Sequence, residues 1–277
     1  MKCLVDIGVH GSMLSTIMHM YWKPPMVTKV GQHLGQPFHS TRGVKQGDPL
    51  SPLLFGIFID RLEEWLESRA PGSGVQVGQQ LLQLLLYADD LALLASSPAQ
   101  LQQMLDALHD FCVEYDMEVN VLKTEVVVFG RRQYATPATL QGRWLYAGQP
   151  VPVTSEFKYL GVVLHCTKGV SAAVPTLATA GRRAMWAMLQ RCGTLNVHSL
   201  QQKVDLFDAL VSPILNYCCD VWGPEILGRG VGLQSMLNNP VHQVQFMFLR
   251  CVAGGVRKST PRHLLLREFA CKPLTQS

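Results

Sequence analysis

The sequence has little charge and no long apolar run. Only 16% of its 277 residues are Asp, Glu, Lys or Arg, whereas 48% are hydrophobic. Disordered chains show the opposite balance, so we expect a folded protein with a buried core. No apolar stretch approaches the roughly 20 residues of a membrane-spanning helix, and charge follows the first methionine too soon for a signal peptide. The sequence therefore predicts a soluble intracellular protein without a membrane partner, and leaves open whether it is nuclear or cytoplasmic.

The sequence also lacks the spacings of a zinc site. Its eight cysteines show no C-x-x-C pair, and the adjacent Cys218 and Cys219 are badly placed for one tetrahedral ion. The nine histidines show no metal-ligand spacing either. We therefore predict reduced, mostly buried thiols and structural or solvated histidines.

The charges are unevenly distributed along the chain. Residues 1–130 carry 8 Lys+Arg against 14 Asp+Glu, a balance of −6, and residues 131–277 carry 16 against 6, a balance of +10. This asymmetry favours an acidic half that holds cations and a basic half that faces a polyanion. Ordinary solvated surface charge would give the same balance, so charge alone does not decide between the two.

Apolar periodicity predicts an α+β fold in which strands come mainly first. The predicted elements are a helix over 7–22, a hairpin over 26–41, a helix from Ser51 to Arg69, a buried hairpin over 81–95, a helix from Ser97, strands over 125–129 and 157–164, and helices near 171–192, 199–219, 235–253 and 260–270. Ser51 and Ser97 each precede a proline, which is typical of a helix N-cap.

Two adjacent carboxylates, Asp89 and Asp90, stand between apolar strands. Burying like charges together is costly, so a buried pair needs a cation. Carboxylate oxygens suit Mg²⁺ or Mn²⁺, ions that support in-line displacement at phosphorus in two-metal sites. The alternative is an ordinary solvent-exposed hairpin turn.

Several segments resemble the conserved boxes of reverse transcriptases in the same order. They are Gln46–Pro52, which resembles the box before the catalytic one; Tyr87–Asp90, which resembles the catalytic box; Asn120–Thr124, which resembles the box after it; Phe157–Leu164, which resembles the primer-gripping region; and Leu210–Pro213 through Tyr217, with Val221–Gly223, which resemble thumb sequence. The form of the first segment resembles retrotransposons without long terminal repeats more than retroviral or intron-encoded enzymes.

The resemblance implies an RNA-directed DNA polymerase using Mg²⁺ or Mn²⁺, an RNA template, a DNA primer and deoxynucleoside triphosphates. It implies a partial palm, with an antiparallel sheet packed on helices, over residues 1–168. A helical thumb-like region would follow over residues 169–277.

The resemblance also implies roles for single residues. Asp89 would bind both metal ions and Asp90 would assist, while Tyr87 would pack beside the primer end. Lys123 would steady or protonate the leaving pyrophosphate, unless it is simply an exposed lysine at a helix end. Gln46 and Gly47 would border the nucleotide and template, where a Cβ would intrude; the alternative is a plain strand-to-helix turn.

Basic residues are the candidates for phosphate contacts. Arg42 and Lys45 flank the first box, Lys158 lies in the primer-gripping segment, and Arg182, Arg183 and Arg191 share one predicted helix. Each of them would also be unremarkable as surface charge.

The front of the polymerase is expected to be missing. Members of the family carry an Asp-containing box ahead of the helix that 7–22 resembles, and Asp6 is a poor substitute for it. We therefore expect little or no activity from this chain alone. The bare edge of the hairpin would invite an upstream polymerase fragment or another strand-donating chain.

Two further hypotheses stay open. The chain could be a non-catalytic nucleic-acid-binding remnant whose basic half supplies salt-dependent affinity. It could instead be an interaction module that completes its sheet with a strand from another chain.

Overall fold

Short strands and helices alternate in the first part of the chain, and helices dominate the second. The structure, a computed structural model, describes residues 2–40, 43–130, 137–227, 238–257, 259–271 and 274. The α-helices are Lys2–Asp6 (α1), Gly11–Tyr21 (α2), Ser51–Ile59 (α3), Arg61–Arg69 (α4), Pro98–Glu114 (α5), Pro137–Leu140 (α6), Ala173–Thr194 (α7), Leu200–Leu210 (α8), Ser212–Leu215 (α9), Cys219–Leu227 (α10), Pro240–Val252 (α11) and Arg262–Glu268 (α12).

The strands are short and pair two by two within the described residues. They are Pro25–Met26 (β1), Lys29–Val30 (β2), His33–Leu34 (β3), Phe38–His39 (β4), Val75–Val77 (β5), Gln80–Leu82 (β6), Leu84–Tyr87 (β7), Asp90–Leu93 (β8), Val126–Val127 (β9), Leu145–Tyr146 (β10), Gln149–Pro150 (β11), Val153–Thr154 (β12), Glu156–Tyr159 (β13) and Val162–His165 (β14). All pairs are antiparallel except β9 with β12, which is parallel. The fold is thus a mixture of helices and small, mainly antiparallel sheets.

The chain divides into two compact units. The first comprises residues 1–124 and 142–151, and the second comprises residues 125–141 and 152–277. This division at 124/125 differs from the palm and thumb boundary predicted at 168/169. The palm and thumb boundary is a functional one and stays a prediction. No described helix is both long enough and apolar enough to cross a membrane.

The core of the first unit lies between α4 and α5. Its buried members repeat every three or four residues along each helix; they include Leu62, Leu66, Met104, Leu108 and Phe111. Trp65 closes one side of this core, because its indole Nε1 donates to the carbonyl of Ala107 at 2.9 Å. Its ring also meets Phe111 edge to face, with 5.7 Å between the ring centroids.

Residues 142–151 complete the first unit although they follow the start of the second. The Trp144 indole donates to the carbonyl of Pro98 at 3.1 Å. The Gln102 side chain bonds both backbone groups of Leu145. Strands β10 and β11 are therefore held against α5 at its first turns.

The core of the second unit is built around α7. Helices α8, α9 and α11 all pack against it, and Phe207 stacks on Phe248 with 4.3 Å between ring centroids. Gly181 lets α9 approach, because a Cβ at this position would collide with the Leu215 side chain.

Several sequence predictions about local structure are wrong. Ser51 is not an N-cap, since it lies inside α3 and Leu50 takes that position, whereas Ser97 does cap α5. The predicted helix from Ser51 to Arg69 is interrupted at Asp60. The helix predicted over 199–219 breaks at Val211, just before Pro213 in the first turn of α9. Only two of the eight free cysteines are buried, so the thiols are not mostly buried.

Candidate functional site

The two adjacent carboxylates lie at the tip of the hairpin formed by β7 and β8, as predicted. Leu84 pairs with Leu93 and Tyr87 pairs with Asp90, which leaves Ala88 and Asp89 as a two-residue turn. Leu81 and Leu82 do not belong to this hairpin, because they form the preceding hairpin with β5. The apolar run predicted as one strand is therefore two.

The hairpin has two different faces. Leu84, Leu86, Leu91 and Leu93 are half-buried on one of them. On the other, Leu85 is 40% and Tyr87 64% exposed, and Asp89 and Asp90 at the tip are exposed as well. The prediction of a buried hairpin is therefore wrong, and the carboxylates remain hydrated rather than forced together inside the core.

The turn places a non-glycine residue in the left-handed region. Ala88 has φ 53°, a conformation that two-residue hairpin turns need at their first position and usually obtain from glycine or asparagine. In an alanine it costs on the order of 1 kcal/mol. The tip that carries Asp89 is thus mildly strained.

The donor chemistry at this tip fits a divalent cation only in part. Two carboxylates suit Mg²⁺, which proteins commonly hold through one or two carboxylates together with phosphate oxygens. Among the described residues, no group of three or more His, Cys, Asp or Glu side chains comes together. A metal ion held by Asp89 and Asp90 would therefore need further oxygen ligands from a phosphate-bearing ligand or from water.

Asp6 does not join them. Its carboxylate is ion-paired with the guanidinium of Arg61 on α4, and the Tyr115 phenol, with Asp6 among the further causes, raises the pKa of Arg61. This pairing gives Asp6 a structural role at the end of α1.

The loop before α3 is held by a small polar network. The Ser51 hydroxyl donates to the carbonyl of Lys45 at 2.6 Å and shares a hydrogen bond with the Tyr21 hydroxyl at 3.1 Å. The Asp48 carboxylate accepts from the amide of Leu50 at 2.9 Å. Partial burial, with a contribution from Asp48, raises the pKa of Tyr21, so this phenol stays neutral.

Gln46 and Gly47 form the exposed part of this loop. Gly47 has φ 81°, and a Cβ added to it would meet nothing within 4 Å in the chain. Glycine is therefore favoured at position 47 by the positive φ of the backbone, not by a lack of space within the chain. The Lys45 ammonium lies 5.6 Å from the Tyr21 ring centroid, and Arg42 lies outside the described residues.

Lys123 ends a single 3₁₀ turn, Val121–Lys123, and its side chain is exposed. Its neighbour Leu122 is 97% exposed. The structure thus gives Lys123 the setting of a free surface cation in the first unit.

The remaining basic candidates lie in the second unit. Lys158 is exposed on β13, and Arg182, Arg183 and Arg191 are exposed on α7. The second unit carries 15 Lys+Arg against 7 Asp+Glu, a balance of +8, while the first carries 9 against 13, a balance of −4. The charge asymmetry read from the sequence therefore coincides with the division into units.

Two tyrosines hold candidate segments in place through contacts that the sequence did not show. Tyr21 supports the loop with Gln46 and Gly47, and the Tyr217 hydroxyl donates to the carbonyl of Leu160 at 2.7 Å, at the tip of the hairpin that carries Lys158. Each contact joins residues far apart in sequence, so no local pattern could have shown it.

Comparisons with known proteins identify a family for this chain. The family described as reverse transcriptase (RNA-dependent DNA polymerase) matches residues 2–164. The chain is 36% identical over 136 residues to the Pol polyprotein of the type-2 retrotransposable element R2DM of Drosophila melanogaster, covering 48% of this chain and 13% of that protein.

Two further relatives extend the match. The RNA-directed DNA polymerase from the mobile element jockey of Drosophila funebris is 27% identical over 83% of this chain and 23% of its own length. A Pol polyprotein from the type-1 element R2 of Popillia japonica is 30% identical over 76% of this chain and 34% of its own length. The chain thus spans about a third or less of these three relatives.

Proposed function

The chain belongs to the reverse transcriptase family, in the branch of retrotransposons without long terminal repeats. We propose that its acidic hairpin serves nucleotidyl transfer to a primer, directed by an RNA template. The observation that carries this proposal is the tip between β7 and β8. It presents Asp89 and Asp90 to solvent inside the segment that matches the family. An exposed acidic tip is accessible to a triphosphate and its metal ion.

Asp89 and Asp90 would hold Mg²⁺ or Mn²⁺ together with the phosphates of a deoxynucleoside triphosphate. When bound, the ion would neutralise phosphate charge and favour attack by a primer hydroxyl. Tyr87 pairs with Asp90 across the hairpin and is exposed on the same face. Its ring would pack beside the primer end.

The loop before α3 would border the incoming nucleotide. Gln46 and Gly47 are exposed there, and the hydrogen bonds of Ser51 fix the backbone behind them. Arg42 and Lys123 would contact the triphosphate, with Lys123 stabilising the leaving pyrophosphate.

Residues 1–168 would act as part of a polymerase palm and residues 169–277 as a thumb. The family match ends at residue 164, and among the described residues the elements from residue 170 onward are helical. Lys45, Lys158 and the three α7 arginines would bind the phosphates of the RNA template and DNA primer.

The experiment is primer extension on an RNA template by the purified chain in Mg²⁺ and in Mn²⁺. The variants are Asp89→Asn and, as a matched control, Asp106→Asn, which removes another exposed aspartate from α5. Because the Asp-containing front box is expected to be missing, extension by the unaltered chain should be weak at most. Asp89→Asn should lower it further by up to about 10³-fold, corresponding to about 4 kcal/mol in the barrier. Asp106→Asn should extend like the unaltered chain.

Equal extension by the two variants would exclude Asp89 as the metal ligand. No extension by a folded chain would exclude catalysis by this chain alone. It would then favour non-catalytic binding of nucleic acid, a candidate supported by the balance of +8 in the second unit. In that case binding should survive in Asp89→Asn and weaken steeply with salt.

A further inference from the structure

Tyr217 lies across the tip of the hairpin formed by β13 and β14. This tip is the two-residue turn Leu160–Gly161, in which both residues have positive φ, 46° and 84°. The Tyr217 hydroxyl donates to the Leu160 carbonyl at 2.7 Å. A Cβ on Gly161 would lie 3.0 Å from Cε1 of the Tyr217 ring, so the ring and the turn are in direct contact.

The tyrosine is itself anchored in the core of the second unit. The Trp222 indole donates to the carbonyl of Tyr217 at 2.8 Å, and the Trp222 side chain is 1% exposed. The position of the tip is therefore set by the helical core as well as by its own turn.

We propose that Tyr217 is a positioning residue that holds this tip, with Lys158 on the adjacent strand, in the arrangement that binds the primer strand. The inference rests on the proposed function and adds a residue to it. Lys158 lies two residues before the turn and is exposed. A cation on a fixed hairpin binds a phosphate backbone with less loss of conformational freedom than one on a mobile hairpin.

The matched control for this tip is the hairpin of β10 and β11. Its turn, Ala147–Gly148, has the same two-residue length and positive φ at both residues, 50° and 76°. A Cβ on Gly148 would meet nothing within 4 Å. Replacing either glycine by alanine therefore strains the turn equally, and only Gly161→Ala also displaces the tyrosine ring.

The test uses the full chain and a labelled RNA template–DNA primer duplex, with binding measured by fluorescence anisotropy. Tyr217→Phe removes the hydroxyl and retains the ring. We expect it to raise Kd by roughly 3- to 10-fold and to speed amide hydrogen exchange at Leu160–Val162. Gly161→Ala should raise Kd at least as much, and Gly148→Ala should leave it unchanged.

Salt dependence separates positioning from charge. Lys158→Ala should reduce the slope of log Kd against log salt by about one, whereas Tyr217→Phe should keep the slope, because it removes no phosphate contact. Unaltered Kd in Tyr217→Phe, despite faster exchange at the tip, would overturn the positioning role alone. A folded chain that does not bind the duplex at all would overturn both this role and the proposed function.

Discussion

The acidic hairpin of β7 and β8 and the hairpin of β13 and β14 have strands of the same length and turns of two residues, but they are held differently. The first ends in Ala88 and Asp89, and within the described residues no side-chain hydrogen bond joins Asp89 or Asp90 to another residue. The second ends in Leu160 and Gly161, where Tyr217 covers the turn. One tip is open to a ligand, and the other is fixed by the protein.

This difference matches the two tasks that the proposed function would give them. Carboxylates that share a metal ion with an incoming triphosphate need solvent access and free oxygen atoms. A hairpin that holds a strand in place needs a fixed backbone, because every mobile group must be ordered on binding. The strand pairing is alike in the two hairpins. They differ in the residues that contact their tips.

Replacing Trp222, whose indole bonds the Tyr217 carbonyl, should have the largest effect on stability. Trp222→Phe loses the hydrogen bond to Tyr217 and leaves a gap in the core, so we expect a loss of about 2 kcal/mol. Denaturant unfolding would measure this loss, and hydrogen exchange should speed at Leu160–Val162 without changing at Leu84–Leu93. Trp186→Phe, at a half-exposed position on α7, should be nearly neutral. Equal acceleration in both hairpins would show that Trp222 does not serve the second one specifically.

Acid should weaken the unit that holds the second hairpin. His242 is fully buried, and burial, with a smaller effect of Arg262, lowers its pKa below 6.5. The unfolded chain therefore binds a proton below pH 6.5 that the folded chain excludes. The contribution of neutral His242 to the free energy of unfolding is complete above this pH. It is lost as the pH falls, by at most about 1.4 kcal/mol per pH unit.

Unfolding curves between pH 7 and pH 5 would measure this dependence. His242→Gln should flatten it, and His198→Gln, at an exposed position, should preserve it. The same slope in all three proteins would assign the acid sensitivity to other groups.

The smallest effect concerns the strain in the acidic tip. Ala88→Gly relieves a positive φ, and we expect a gain of about 0.5 kcal/mol after the greater flexibility of unfolded glycine is taken into account. Ala92→Gly in the same hairpin should destabilise by about 0.5 to 1 kcal/mol, since Ala92 lies in a regular strand. Destabilisation by both would mean that the turn does not strain Ala88.

Local patterns predicted those features that depend on local chemistry. The acidic tip follows from two apolar runs separated by Ala88–Asp89, and the cap of α5 follows from Ser97 before Pro98. Ser51 has the same local signal, yet its hydroxyl bonds the Lys45 carbonyl and Tyr21 instead. A competing tertiary contact therefore decided between two similar sequences.

The sequence predicted where the β7 and β8 hairpin turns, but not how exposed its faces are. Leu85 and Tyr87 belong to an apolar run that favours burial, but the hairpin is a two-stranded sheet with one face largely open. Alternation cannot show how many strands flank a hairpin, because pairing partners come from elsewhere in the chain. The contact of Tyr217 with Gly161 depends on the same long-range information.

The passage of residues 142–151 into the first unit has a consequence for dividing the protein. The chain crosses between units at 124/125, 141/142 and 151/152, so a single protease cut at any of these junctions leaves at least one fragment with residues of both units. Recombination at a single point is equally unable to exchange one complete unit for another. Neither unit can therefore be exchanged whole unless the β10 and β11 segment, whose Trp144 indole donates to the Pro98 carbonyl at the start of α5, moves with the first unit.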